Sequence, residues 1–349
     1  MEVPDRVRAL LEDHAAAIPG ELARALDPGL TFPALPPDAG VVVTGVGGSE
    51  GPARYLAMLL QLGGRRAAFA PLSTYALPRR TAPVDTLVIF SQGLSPNARL
   101  ALRRAADHRA AILFTSVDAA RAAPDVRACH DAFEDAGGRV VRLPPDEESG
   151  TLVRLVGPAI ALLVAARFAA SLDASLFEVG LLARAPELAA SAGARARQAA
   201  ASLPELALHR RLAFVAAGPW LEGGHGLRCA WLEGLGAPEP PLWDVLQIAH
   251  GPFFELFDEE FTLVTLEHEG EDAESALFDR LAAMLVPPRH ALLRLRSALP
   301  PPLGAIDHEL LVTALLLRAL AERSKDLGGA LGSDAPLYGL GRDPMPRGR

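Results

Sequence analysis

Glu233 and His250 are the residues whose types and spacing most readily do chemistry. The carboxylate precedes the imidazole by seventeen residues (250 − 233), and the imidazole opens a His250-Gly251-Pro252 turn. Such a pair suits a base and an acid working on one small molecule. Ala230-Trp231-Leu232-Glu233 reads as the last turn of a helix that begins after Gly223-Gly224 and is stopped by Gly234 and Gly236. Glu239-Pro240-Pro241 then stiffens the chain, and a short apolar run leads to the histidine. The plainer alternatives are a surface ion pair of Glu233 with Arg228 and a structural His250 that bonds backbone in its own turn.

Two further stretches have the chemistry of anion cradles. Gly45-Val46-Gly47-Gly48-Ser49 follows a valine run, and Ser91-Gln92-Gly93-Leu94-Ser95-Pro96 follows Leu87-Val88-Ile89-Phe90. Backbone amides at the start of a helix, with small hydroxyls beside them, hold a phosphate without a lysine. Ser95-Pro96 also fits a bare N-cap with proline at the first helical position. The glycine loop is not the dinucleotide fingerprint, because Gly45 and Gly47 are followed by Ser49 and Glu50, with glycine again only at Gly51. Lys325 is the sole lysine, so there is no Walker lysine, and a Schiff-base mechanism would have to use Lys325 or a partner chain.

The elements that must position these residues alternate. Strands are expected at Val41–Thr44, Ala67–Ala70, Thr86–Phe90, Ala111–Thr115 and Arg139–Leu143, then at Leu212–Ala216, Phe261–Leu266 and His290–Leu295. Helices are expected over most of residues 1–30, with a break at Pro19-Gly20, and at Pro52–Leu62, Asn97–Ala106 and His308–Leu320. Residues 151–205 read as mostly helical. The apolar stretch Leu155–Ala166, bounded by Arg154 and Arg167, is too short to span a bilayer and reads as a buried helix. Alternation of this kind implies an α/β fold of parallel, doubly wound sheets, with ligands beyond the carboxyl ends of the strands. Laying Gly45 on Gly218 puts Gly51 on Gly224, both offsets being 173, which suggests an internal repeat. The expected organisation is a helical segment at 1–30, a first domain at 31–170, a second at 171–330 and a tail at 331–349.

The chain of 349 residues is half apolar, carries a formal charge of −8 and has a pI near 5.6. It has room for two cores, and without a basic run broken by aromatics it offers no nucleic-acid surface. Cys129 and Cys229 are too isolated for a disulfide framework, and a charged N-terminus without a signal core points to the cytoplasm. No cofactor, metal or membrane contact is expected. His14, His108, His209, His225, His268 and His290 show no metal-ligand spacing and read as surface or capping residues. Glu267-His268-Glu269-Gly270-Glu271-Asp272 reads as a solvated loop.

The Gly45–Ser49 loop, the segment Phe90–Asn97, and Trp231-Leu232-Glu233 followed by His250-Gly251-Pro252 together resemble the double sugar-isomerase (SIS) domain family. In pattern they are nearest to the isomerase half of glucosamine-6-phosphate synthase and to its deglycase relatives. The resemblance covers roughly residues 30 to 345. It implies two tandem flavodoxin-like domains, a phosphosugar ligand, and a homodimer with active sites between subunits. Carried over, Ser91, Gln92 and Ser95 match the phosphate loop, Glu233 the glutamate that moves a proton between C1 and C2, and His250 the ring-opening histidine. Glu148-Ser149-Gly150-Thr151 falls where the family has a loop touching the sugar, which makes Ser149 and Thr151 ligand candidates beside Gly45, Gly47 and Ser49. The implied activity is that of a sugar-phosphate or amino-sugar-phosphate isomerase or deglycase; the other reading is a sensor that binds such a ligand without turning it over. Departures are present: Gln92 runs straight into Gly93 without an intervening serine, and Ala230 stands where the family has a lysine. Ser333-Asp334-Ala335-Pro336 echoes a closing family motif, but Gly341 occupies the place of its lysine, with Arg342 beside it.

Overall fold

The computed structural model describes residues 3–77, 85–144, 148, 153–204 and 207–322. Ser149, Thr151, Lys325 and the 333–336 motif lie outside the described residues. The chain divides into two compact units, one drawing on residues 21–149 and 156–179, the other on residues 1–20, 150–155 and 180–328.

Helix α1 (Val3–Ala25) runs unbroken through Pro19, where the sequence suggested an interruption. Its buried stripe, Leu11, Ile18, Leu22 and Ala25, continues on both sides of the proline, so packing holds the helix together past the lost backbone donor.

In the first unit, β1 (Val41–Thr44), α2 (Glu50–Leu62), β2 (Ala67–Phe69), β3 (Thr86–Phe90), α3 (Arg99–Leu102), β4 (Ala110–Thr115), α4 (Pro124–Asp135), β5 (Arg139–Arg142) and α5 (Val156–Leu172) follow in turn. The five strands are parallel in the order β2-β1-β3-β4-β5, the flavodoxin-like winding. Strand β3 is buried at every position, which is why it reads as an unbroken apolar run. Helix α5 is buried over nearly its whole length, as the uncharged run up to Ala166 foretold, and takes in Arg167 near its end. The expected helix at Asn97–Ala106 is instead one turn of α-helix, α3, and a separate 3-10 turn at Ala105–Asp107.

The second unit holds α6 (Ala185–Ala199), β6 (Arg211–Ala216), α7 (His225–Leu235), β7 (Leu242–Asp244), α8 (Pro252–Leu256), β8 (Phe261–His268), α9 (Asp272–Met284), β9 (His290–Ser297) and α10 (Gly304–Glu322). Its strands are again parallel, in the order β7-β6-β8-β9, which is the same winding without a fifth strand among the described residues. Strand β7 was not anticipated. The repeat is real in topology, but the glycines correspond differently: Gly47 (φ 60°) and Gly218 (φ 58°) each open a 3-10 turn after the first strand of their sheet. Both lie in the left-handed region that favours glycine. The end of α7 follows the expected pattern, Gly236 closing it at φ 56° while Gly234 lies inside the helix.

The acidic stretch is solvated only from Glu269 to Asp272, which are exposed. Glu267 and His268 are buried residues of the strand itself. Strand β9 supplies the compensation: Arg294 donates to both carboxylate oxygens of Glu267 at 2.6 Å, and Thr265 adds a hydroxyl at 2.5 Å. His268 and His290 are likewise buried rather than surface residues.

Candidate active site

Doubly wound sheets bind ligands where the strand order reverses, outside the carboxyl ends of the strands. In the first unit that point lies between the adjacent parallel strands β1 and β3. The Gly45–Ser49 loop leaves β1 there, and the Ser91–Ser95 loop leaves β3. The fold therefore brings together the two anion-cradle candidates. Gly45 cannot carry a side chain, because a Cβ would lie 2.3 Å from the carbonyl oxygen of Ser49.

The second loop is held in a strained shape. Leu94 is fully buried with φ 49°, unusual for a residue with a Cβ. Buried Arg99 pins it, donating to the Leu94 carbonyl at 3.1 Å and to Asp125 at 2.8 Å. Thr115 and the Ser116 amide both donate to the Gln92 carbonyl, at 3.0 and 3.1 Å. Ser91 is buried and Ser95 half-buried. Ser95 does not cap α3, whose N-cap position is Ala98 and carries no side-chain bond.

Sequence reasoning missed the role of Glu148. This buried carboxylate accepts the Val156 amide at 3.1 Å and the Gly157 amide at 2.8 Å, so it caps the N-terminus of α5. Gln92 donates one amide hydrogen to the same carboxylate at 3.0 Å. The packing is close enough that a Cβ on Gly157 would meet the Gln92 side chain at 2.2 Å. One donor of the expected phosphate loop is thus bound to an anion that the chain itself supplies.

Glu233 lies near the end of α7 and is half-buried. Burial pushes its carboxyl up from the ordinary 4.5 to about 7, and the nearby Arg154 guanidinium opposes the rise. The surface pair with Arg228 does not form: Arg228 reaches Glu239 at 2.6 Å and the Pro240 carbonyl at 3.1 Å. Arg154 was legible only as the flank of an apolar run. In the structure it supplies the cation near Glu233, while Ala230, where the resemblance expects a lysine, is a buried apolar residue.

His250 ends a 3-10 turn at Gln247–His250 and is exposed. The βαβ topology sets Glu233 and His250 toward opposite ends of the strands. β6 and β7 are parallel, so α7 between them must run back against the strands. The end of α7 accordingly lines a cleft of about 440 Å³ with Leu208–Leu212 at the entry to β6 and Ala237 and Pro238 ahead of β7. Glu233 sits about 12 Å along α7 from His225, at a rise of about 1.5 Å per residue, whereas His250 follows the carboxyl end of β7. Leu246 and Phe254, which flank the His250 turn, are 60% and 79% exposed.

The corresponding crevice of the second sheet lies between β6 and β8. Trp220 meets His268 edge-on with ring centroids 5.9 Å apart, and His268 is held by Glu274 at 3.0 Å. Gly304 permits this, since a Cβ there would lie 2.1 Å from the His268 ring.

Two tandem parallel sheets with these windings make a tandem flavodoxin-like α/β fold. Solved structures share it: glucosamine-6-phosphate deaminase from Thermotoga maritima is similar at 14% identity and a TM-score of 0.68, with 91% of this chain and 96% of that one covered. Tagatose-6-phosphate ketose/aldose isomerase from Escherichia coli is similar at 14% identity and a TM-score of 0.67, covering 92% and 96%. The C-terminal domain of glucosamine-fructose-6-phosphate aminotransferase from Francisella tularensis is similar at 11% identity and a TM-score of 0.64, covering 88% and 96%. At these identities the likeness is one of fold. No protein-family model matches the sequence, and no curated protein matches it. No helix among the described residues is long and apolar enough to cross a membrane.

Proposed function

We propose that the protein is a sugar-phosphate isomerase or deglycase of the aldose-ketose type, working as a homodimer. The observation that carries this reading is Glu233, a half-buried carboxyl pushed to about 7 beside a guanidinium, which is the environment of a general base. In the proposed reaction Glu233 takes the proton from the carbon next to the carbonyl or imine, and an enediol or enolamine forms. The same carboxyl then returns the proton to the neighbouring carbon. The loops at Gly45–Ser49 and Ser91–Ser95 hold the phosphate. His250 of a second copy assists ring opening; the return of α7 along the parallel β6 and β7 supports this, as do the exposed Leu246 and Phe254 beside the histidine turn.

A second reading, a sensor that binds the sugar without turnover, is favoured by one observation. The Glu148 carboxylate occupies a Gln92 donor and places negative charge beside the phosphate loop. Both readings are tested by incubating the protein in deuterated water with hexose 6-phosphates and their amino and fructosamine derivatives. Deuterium at C1 or C2 that vanishes in Glu233→Gln supports the enzyme, and saturable binding without exchange supports the sensor. Undiminished exchange in Glu233→Gln refutes the assignment of the base.

A further inference from the structure

Helix α4 carries a side-chain cluster that neither candidate site uses. Its inner face, Val126, Cys129 and Phe133, packs into the core of the first unit. Beside that face stand His130, Asp131 and Glu134, whose nearest ligand atoms all lie within 4.8 Å of one another. His130 and Glu134, one turn apart, share a face of the helix.

The geometry is not that of a simple ion pair. His130 is only 7% exposed, and its Nδ1 makes no hydrogen bond among the described residues. Nδ1 nevertheless lies 3.3 Å from Oε2 of Glu134 and 3.7 Å from Oδ1 of Asp131. An imidazolium would aim an N–H at one carboxylate; here a buried ring nitrogen faces two carboxylates without bonding to either. Two of the three separations suit one metal ion. At a bond length of about 2.1 Å to each ligand, gaps of 3.3 and 3.7 Å close angles of roughly 104° and 124° at the ion, either side of the tetrahedral value. Both carboxylates are more than half exposed while the ring nitrogen is sealed from solvent, so an ion approaches from the carboxylate side.

We propose that His130, Asp131 and Glu134 form a binding site for a divalent transition-metal ion of the zinc class. The donor set selects the ion: an imidazole nitrogen with two carboxylates suits zinc, whereas calcium and magnesium take oxygen ligands in larger number. Bound there, the ion ties the last two turns of α4 together just ahead of the Gly137 turn into β5, where φ is 84°. The site departs from the expectation that the chain holds no metal.

The test uses the full-length protein without an affinity tag, stripped with chelator and then titrated with zinc chloride by calorimetry. The expected result is one saturable equivalent, a rise in melting temperature with zinc, and a cobalt(II) complex with the intense visible absorption of four-coordination. Asp131→Asn and Glu134→Gln, which change exposed residues, are expected to fold as the parent does and to weaken zinc by at least about tenfold each, since a direct ligand outweighs the outer partners whose loss costs about 10- to 100-fold. His130→Ala is expected to abolish the event. Absence of zinc binding, affinity unchanged in both carboxylate variants, or equal binding of magnesium would overturn the assignment.

Discussion

Replacing Glu233 by glutamine should make the protein less active and, above neutral pH, more stable. The carboxyl titrates at about 7 when folded, against an ordinary 4.5. At about 1.36 kcal/mol per decade, that gap sets a ceiling of roughly 3 kcal/mol on the cost of ionising the group in place. The sign follows from proton binding. Between 4.5 and 7 the folded chain holds a proton that the unfolded chain has released, so stability falls as pH rises through this window. Below 4.5 both states are protonated and the parent and variant should differ little. Above about 7 the parent bears the full cost and the variant none. Guanidinium unfolding of both proteins at several pH values from 4.5 to 8 measures the difference directly, and groups common to both cancel. A difference that stays flat with pH would refute the desolvated-base argument, because a solvated carboxylate at the end of a helix has no such cost. Loss of exchange activity in the variant without the pH-dependent stability gain would leave Glu233 important but deny the physical reason offered here.

Arg154→Met removes the cation that opposes the rise, so the apparent pKa of the activity profile should move above about 7; a profile that does not shift would sever the link between the two residues. His308 is fully packed, and burial together with neighbouring His268 lowers it from 6.5 to about 4. Its unfolded form takes up a proton first, so stability should be lost as pH falls from 6.5 toward 4, with a ceiling of roughly 3 kcal/mol. His308→Asn should flatten that part of the melting-temperature profile. Glu148→Ala strands the Val156 and Gly157 amides at the head of α5 and should cost about 1–3 kcal/mol in denaturant unfolding. The same variant frees the Gln92 donor, so its affinity for a sugar phosphate, read by calorimetry, should rise.

Much of the fold was legible because buried parallel strands advertise themselves. Val41–Thr44 and Thr86–Phe90 are apolar runs with glycine or serine immediately after them, and both limits match the structure. Strand β7 was not legible: three residues after two prolines carry too little pattern to separate strand from loop. The error at Glu267 and His268 has a different cause. Charge density along the chain suggests solvent, yet the carboxylate is satisfied by Arg294 on the neighbouring strand, and strand pairing is invisible to a local reading. Arg154 and Glu148 were missed for a related reason, since each acts on residues that only the fold places beside it.

The proposed pair of Glu233 and His250 shows how sequence proximity misleads within a βαβ unit. Seventeen residues suggest adjacency, but the helix must run back along the sheet before the next strand returns, so a group late on the helix and a group after that strand finish near opposite ends of the strands. A proton shuttle built from Glu233 and His250 therefore needs a second chain, and the exposed Leu246 and Phe254 beside the histidine supply the apolar surface for one. Turnover should then depend on protein concentration. Charging that surface, as in Phe254→Glu, should lower both dimerisation and exchange, and activity should return when protein concentration is raised. If ultracentrifugation finds an active monomer, the two residues cannot be partners, and Glu233 must work with a different acid.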